Sequence, residues 1–495
     1  PFPQSPLPGY NRRMENPAAY IPLDRRQALA AGVELPIYTS GAALFADISG
    51  FTPLTESLAL AYGPRRGADE LTRQLNEVYN AIIAPVHAHG GAVIGFSGDA
   101  ITCWFDDRGS VGAGLLAGCA AALAMQQAMT AFAQIAYPGG QIALAIKTAL
   151  AGGSAHRFVV GDPNSRLIDV LAGRVLERMA AAEAAAEQGE TLLDETSEGV
   201  IRGQVTGGWV QRNDSRFFRV RRLEGAAPPQ SVAPEVILPD EIARPWLLLP
   251  VYQRIQGQQG RFLAELRPAA ALFLKFDGLD FDVPVEPPHP SPPHSREGSG
   301  STPPPQRGRL GGGEPLPFDA NPAAASQLDR YIRWVQAVVD RFEGSLIQLT
   351  TGDKGSYLYV AFGAPVAHDD DIMRAISAAL ELANSARLFP FLASVRMGIS
   401  QGRMRVGAYG SEHRRTYGVL GDETNLAARL MSKAEPGQIL VSQRVAEQID
   451  ERFQLRTLGP MRFKGKNDPI PVFAVEGERA LSGDDYRSLF ASRLE

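Results

Sequence analysis

Two stretches of this chain read as copies of one another, and that repeat limits its architecture more than any other feature. Ala43-Leu44-Phe45-Ala46-Asp47-Ile48-Ser49-Gly50-Phe51 resembles Ala271-Leu272-Phe273-Leu274-Lys275-Phe276-Asp277-Gly278. A helix-period stretch follows each, around 66–88 and 325–342. Next comes a strand, a Gly-Asp turn and a strand, around Gly98-Asp99 in the first copy and Gly352-Asp353 in the second. Val170-Leu171-Ala172-Gly173 then pairs with Val419-Leu420-Gly421-Asp422, each opening an Ala-rich helix. Asp47 and Lys275 lie 228 positions apart and Asp99 and Asp353 lie 254 apart, and a Pro-rich insert between them absorbs the difference. Such a repeat predicts two α+β units, each with helices on one face of a mainly antiparallel sheet.

The predicted organisation is an N-terminal extension over 1–39, a first domain over 40–200 and a connection over 201–265. A second domain over 266–475 carries the insert 282–318, and a tail covers 476–495. The insert has no apolar periodicity to bury and reads as an exposed loop or linker. At about 150 residues per domain, 495 residues hold this plan comfortably. A net charge of −5 gives no electrostatic reason to expect nucleic acid as a partner. No uninterrupted apolar run of about 18 residues occurs, so no membrane partner is expected. Cys103 and Cys119, with no C-x-x-C, read as free thiols of a cytoplasmic protein.

The candidate chemistry is divided between the copies. Asp47 ends a buried apolar strand and Asp99 sits in a tight hairpin turn, which brings two carboxylates together. They would repel unless a divalent cation lay between them, and oxygen-only ligands suit Mg²⁺ or Mn²⁺. Ser49-Gly50-Phe51-Thr52 makes a small-residue turn opening a helix, whose N–H groups suit phosphate. The second copy keeps Asp353 but has Lys275 in place of Asp47, which breaks its carboxylate pair. It has instead Asn425 and Arg429, one turn apart on one helix face. The first copy offers Leu176 and Ala180 there, or Glu177 and Ala181 if the register slips by one. Each half lacks what the other has.

Phe45-Ala46-Asp47-Ile48-Ser49-Gly50-Phe51-Thr52, Gly98-Asp99 and Tyr417-Gly418-Val419-Leu420-Gly421-Asp422-Glu423-Thr424-Asn425-Leu426-Ala427-Ala428-Arg429 together resemble the class III nucleotidyl cyclases. The two-copy layout is similar to their soluble, bicarbonate-responsive adenylyl branch. The resemblance implies two ferredoxin-like catalytic domains paired head to tail as an intramolecular pseudo-heterodimer. It further implies conversion of ATP to cyclic AMP and pyrophosphate by a monomer with two Mg²⁺ or Mn²⁺ ions, Ca²⁺ being a third option. Carried over by position, Asp47, Asp99 and the Ile48 carbonyl resemble the metal ligands. Asn425 resembles the ribose-orienting residue, Arg429 the arginine at the α-phosphate, Lys354 the base-reading lysine and Lys464 the lysine on the terminal phosphates. Gly418 stands where many members read the base with Asp or Thr, so an added acceptor there is expected to sharpen the preference for ATP over GTP. Gly95, and Met179 or Ala180, stand where the bicarbonate-responsive enzyme has a lysine and an arginine. No cation is therefore expected around Gly95, and little bicarbonate stimulation. The competing reading is a catalytically inactive nucleotide-sensing pair that regulates an attached domain, and the complete residue set argues against it.

Overall fold

In the first domain, Tyr38–Ser49 alternates two apolar faces. Ala42, Leu44, Ala46 and Ile48 point one way and Ala43, Phe45 and Asp47 the other. A strand apolar on both faces must be covered on both. The computed structural model describes residues 15–212, 214–225, 236–257, 265–284, 318–352, 355–449, 451–463, 466 and 468–479, and shows both covers. Leu44, Ala46 and Ile48 meet Tyr79 and Ile82 of the helix Pro64–Ala88 and Leu115, Cys119 and Ala122 of Ala113–Met129. On the opposite face, Ala43, Trp104 and Ala151 meet Val175, Leu176 and Met179 of the helix Arg174–Ala185. Helices thus flank the sheet on both sides, not one as the sequence suggested.

The two sheets have the same topology. The first runs, in spatial order, 92–97, 100–106, 38–49, 145–160, 191–194, 215–223, 205–212, with 168–172 beside 145–160. The second runs 345–350, 356–362, 265–277, 394–410, 439–442, 470–478, 453–461, with 415–420 beside 394–410. In each, one parallel pairing, 145–160 with 191–194 and 394–410 with 439–442, interrupts an antiparallel ladder. The second sheet is also covered twice. Leu272 and Leu274 face the helices Pro322–Arg341 and Asp371–Leu382, while Ala271 and Phe273 face Ala427 and Met431 of Asp422–Lys433. The segments around Tyr20 and Trp246 complete that second cover.

Among the described residues, one helix stretch, Ala113–Phe132, is long and apolar enough to cross a membrane by length and composition. Its Leu115, Cys119, Ala122 and Met125 lie in the core of the first domain. Cys103 and Cys119 are free and buried, and burial pushes the Cys119 thiol up to about 12.

Pairing register refines the repeat. Ser97 pairs with Ala100 across the Gly98-Asp99 turn, but Thr350 pairs with Tyr357, leaving 351–356 between them. Asp353 and Lys354 fall inside that longer connection and lie outside the described residues. The helices Arg174–Ala185 and Asp422–Lys433 both start directly after a glycine, Gly173 and Gly421. That settles the slipped register: Asn425 corresponds to Glu177 and Arg429 to Ala181. The insert is also not a free linker at its ends. Asp282–Pro284 pairs with Phe318–Ala320. Asp282 lies 3.1 Å from His156 Nε2 of the first domain and accepts a bond of 2.5 Å from the Arg174 N–H at a helix start.

Candidate active site

Asp47 makes the last pairing of its strand with the hairpin, opposite Ala100, which places it beside the Gly98-Asp99 turn. The Ile48 N–H donates to the Asp99 carbonyl at 3.3 Å, and the Tyr79 hydroxyl donates to the Gly98 carbonyl at 2.9 Å. Turn and strand end are thereby locked together. Burial, then the neighbouring Asp47, raises the Asp99 carboxyl to about 6. Burial raises Asp47 as well, opposed by Lys147.

Lys147 is the residue that sequence reasoning missed. It lies across the ladder from Asp47, with Nζ 3.7 Å from Oδ2. The Glu183 carboxylate, from the helix Arg174–Ala185, also pairs with it. Its sequence signal was weak, a lone lysine in the apolar strand Ala145–Val160.

The turn after Asp47 needs glycine. Gly50 has φ +94°, and a Cβ there would lie 2.5 Å from the Ala143 carbonyl oxygen. Gly50 precedes the helix Phe51–Tyr62, with Ser49 ending the strand and Thr52 in the first helical turn. Two carboxylates converge here, and among the described residues no group of three or more His, Cys, Asp or Glu surrounds a cation position. Two mutually repelling, desolvated carboxylates suit a hard cation that draws its remaining ligands from water or phosphate oxygens.

The second half-site sits on the helix Asp422–Lys433. Leu426 and Leu430 are buried beneath it, Asn425 is exposed and Arg429 is half-buried. Arg429 Nη1 is buried with no hydrogen-bond partner, which is costly unless a ligand supplies an acceptor. A seam runs from the first half-site to the start of that helix. Tyr409 of the second domain packs on Tyr79 and Phe96 at 5.6 and 5.7 Å between centroids. Leu420, just before Gly421 and that helix, packs against the first domain's core. Asp99, Gly98, Tyr79, Tyr409 and the start of the Asn425–Arg429 helix therefore share one interdomain seam.

Two expectations need correction. Gly418 is not an open position awaiting a side chain: a Cβ there would lie 2.5 Å from Cε1 of buried Tyr409. Gly418→Thr should therefore destabilise the fold by about 1–3 kcal/mol through overpacking, and so lower the melting temperature, rather than sharpen base choice. Thermal melts beside ATP/GTP product ratios check this, and a sharper ratio at unchanged stability would contradict it. Nor is the neighbourhood of Gly95 free of cations. Gly95 lines an interdomain cavity of about 120 Å³ together with Arg166 and Arg414. Burial lowers these guanidiniums to about 10 and about 9 respectively. Arg414 donates to the carbonyls of Tyr20, Val93, Ile94 and Arg415, while Arg166 Nε has no partner. Met179 packs instead against Trp104 and Ala151. Both arginines come from segments far from Gly95 in sequence, so local comparison missed them.

Lys464 lies outside the described residues. Phe463 beside it is buried, and Lys466 pairs with Asp422 at the start of the Asn425–Arg429 helix.

Residues 328–477 match the family described as the adenylate and guanylate cyclase catalytic domain. This chain carries a class III cyclase catalytic domain and is homologous to adenylate cyclase type 10 over most of its length. Human adenylate cyclase type 10 is 22% identical over 80% of this chain, and adenylate cyclase 1 of Rhizobium meliloti is 30% identical over 31%. The chain spans about a quarter of each of these relatives, 24% in both cases. Among solved structures, the adenylyl cyclase CyaB of P. aeruginosa is 22% identical, with a TM-score of 0.34, covering 44% of this chain and 99% of that one.

Proposed function

We propose that this protein is an adenylyl cyclase that converts ATP to 3′,5′-cyclic AMP and pyrophosphate at one composite site between its two domains. The observation that carries this reading is the Asp47–Asp99 carboxylate pair beside a seam with the second domain, whose helix Asp422–Lys433 carries Arg429 with its Nη1 unpartnered. An anion-stabilising donor and a carboxylate pair at one interface suit phosphoryl transfer, which requires positioning and positive charge.

Asp47 and Asp99, with the Ile48 carbonyl, would hold two divalent ions, which when bound lower the 3′-hydroxyl pKa and neutralise the departing pyrophosphate. The turn Ser49-Gly50-Phe51-Thr52 offers backbone N–H groups to the phosphates, and Lys147 Nζ stands beside Asp47 for a terminal phosphate oxygen. Asn425, exposed on its helix, orients the ribose. Arg429 Nη1 donates to the α-phosphate oxygen that gains charge as O3′ attacks. Lys354 donates to the adenine, and Lys464 joins the terminal phosphates. With Gly418 sealed by Tyr409, base choice rests on Lys354 and backbone groups, so discrimination against GTP is moderate. Incubating the protein with Mn²⁺ and ATP or GTP and separating the cyclic products tests the reading. Absence of both products would refute it.

Both half-sites lie in one polypeptide, so we expect a monomeric enzyme whose specific activity is independent of dilution. Activity that falls with dilution along a dimer–monomer transition seen by light scattering would contradict this.

A further inference from the structure

In the second domain, Lys275 occupies the register position that Asp47 holds in the first. Asp47 faces Ala100 and Lys147 across its two neighbouring strands, and Lys275 faces Tyr357 and Arg396. A carboxylate beside an ammonium in one domain thus becomes an ammonium beside a guanidinium in the other. A cavity of about 420 Å³ opens over this row, lined by Lys275, Arg396, Phe273, Tyr357, Met431 and Ser432. That volume suits a small ligand.

The charge on this row points to an anion. Among the described residues, Asp277 is the carboxylate that meets both cations: its oxygens lie 3.7 Å from Lys275 Nζ and 3.2 Å from Arg396 Nη2. Among the described residues, then, one carboxylate stands against two cations, and Arg396 Nε is buried without a partner. Side chains therefore supply the positive charge that the first domain, with its two carboxylates, must take from metal ions.

The rest of the lining points to a base. Phe273 stacks on Tyr359 at 4.5 Å and 9°, which fixes its ring, and Tyr357 stands 6.1 Å away. Two aromatic side chains beside two cations match a heterocycle carrying a phosphate. We propose that this pocket binds a nucleoside monophosphate without a metal ion, its phosphate on Lys275 and Arg396 and its base against Phe273 and Tyr357. The proposal is independent of the cyclase reading, since neither Lys275 nor Arg396 belongs to the composite site.

The test titrates the full chain in EDTA with AMP and, separately, with inorganic phosphate, by calorimetry. AMP should bind at one site at least tenfold more tightly than phosphate. The double variant Lys275→Met, Arg396→Met should weaken AMP at least tenfold, and the milder Lys275→Gln should do so in part with an unchanged melting curve. Arg429→Ala should leave AMP binding unaltered. Cyclisation of Mn²⁺–ATP by the double variant should stay within twofold of the parent. Absence of AMP binding in EDTA would overturn the proposal. So would AMP binding that survives the double variant but disappears in Arg429→Ala, because the nucleotide would then sit in the composite site. Equal affinity for phosphate and AMP would overturn the role of the aromatic wall. The titration needs no turnover, so it still reads this pocket if the chain cyclises nothing.

Discussion

Replacing Asp99 by asparagine should abolish cyclisation of ATP at saturating Mn²⁺ and, at pH 8, raise the melting temperature of the metal-free protein. The two effects share one cause. Burial and the neighbouring Asp47 raise the Asp99 carboxyl from 3.8 to about 6, so the folded protein holds its proton more tightly than the unfolded chain does. Stability from this group is fully present below about pH 4 and is lost as pH rises through about 6. At about 1.4 kcal/mol per pH unit, the ionised carboxylate costs roughly 2–3 kcal/mol above that window. Asparagine keeps the shape and removes the charge, so the metal-free variant should melt several degrees higher at pH 8 and no higher at pH 4. Mn²⁺ should raise the melting temperature of the parent but not of the variant, and Mn²⁺ affinity of the parent should fall as pH drops below about 6. Melting curves at the two pH values, with and without Mn²⁺, read all of this. A variant less stable than the parent at pH 8, or one that keeps more than about a tenth of the parent rate, a loss under ~1.4 kcal/mol, would show that Asp99 is not a metal-binding carboxylate.

Arg429→Ala should lower kcat by a factor of about 10³ with a much smaller change in KM for ATP. The guanidinium is half-buried with Nη1 unpartnered, so truncating it breaks no internal hydrogen bond of that nitrogen. A donor that meets its acceptor only as charge develops contributes to the barrier rather than to ground-state affinity, here about 3–5 kcal/mol. Arg429→Lys should recover little, because a single ammonium does not reproduce the planar fork of donors. Steady-state kinetics checks this. A rise in KM with kcat unchanged would make Arg429 a ground-state binding residue instead.

Much of this site was legible because its pairings are local in sequence. Asp99 reaches Asp47 through a turn containing only Gly98 and Asp99, with the next residue, Ala100, paired to Asp47. Asn425 and Arg429 share a face because they are four apart in a helix that follows Gly421. The replacement of Asp47 by Lys275 was visible from the repeat alone. What escaped notice depends on pairings between distant segments. Lys147 comes beside Asp47 only through the register with Ala145–Val160, and Arg396 reaches Lys275 in the same way. The longer connection at 351–356 appeared only once Thr350 was seen to pair with Tyr357.

The sequence by itself determined that there are two related α+β units, where their carboxylates and their Asn/Arg pair lie, and that neither unit has both. Strand alternation, turn length and helix spacing carry that information within a few residues, and each is set by local sterics. Only the tertiary structure decided what surrounds those groups. It placed Tyr409 against Gly418, Arg166 and Arg414 beside Gly95, and Asp282 on His156 and the start of the helix Arg174–Ala185. Tyr409 and Gly418 belong to one hairpin, but the other contacts join segments far apart in the chain, most of them across the two domains. Side-chain volume and buried charge settle such contacts when two faces close on each other, and no local pattern encodes which faces will meet.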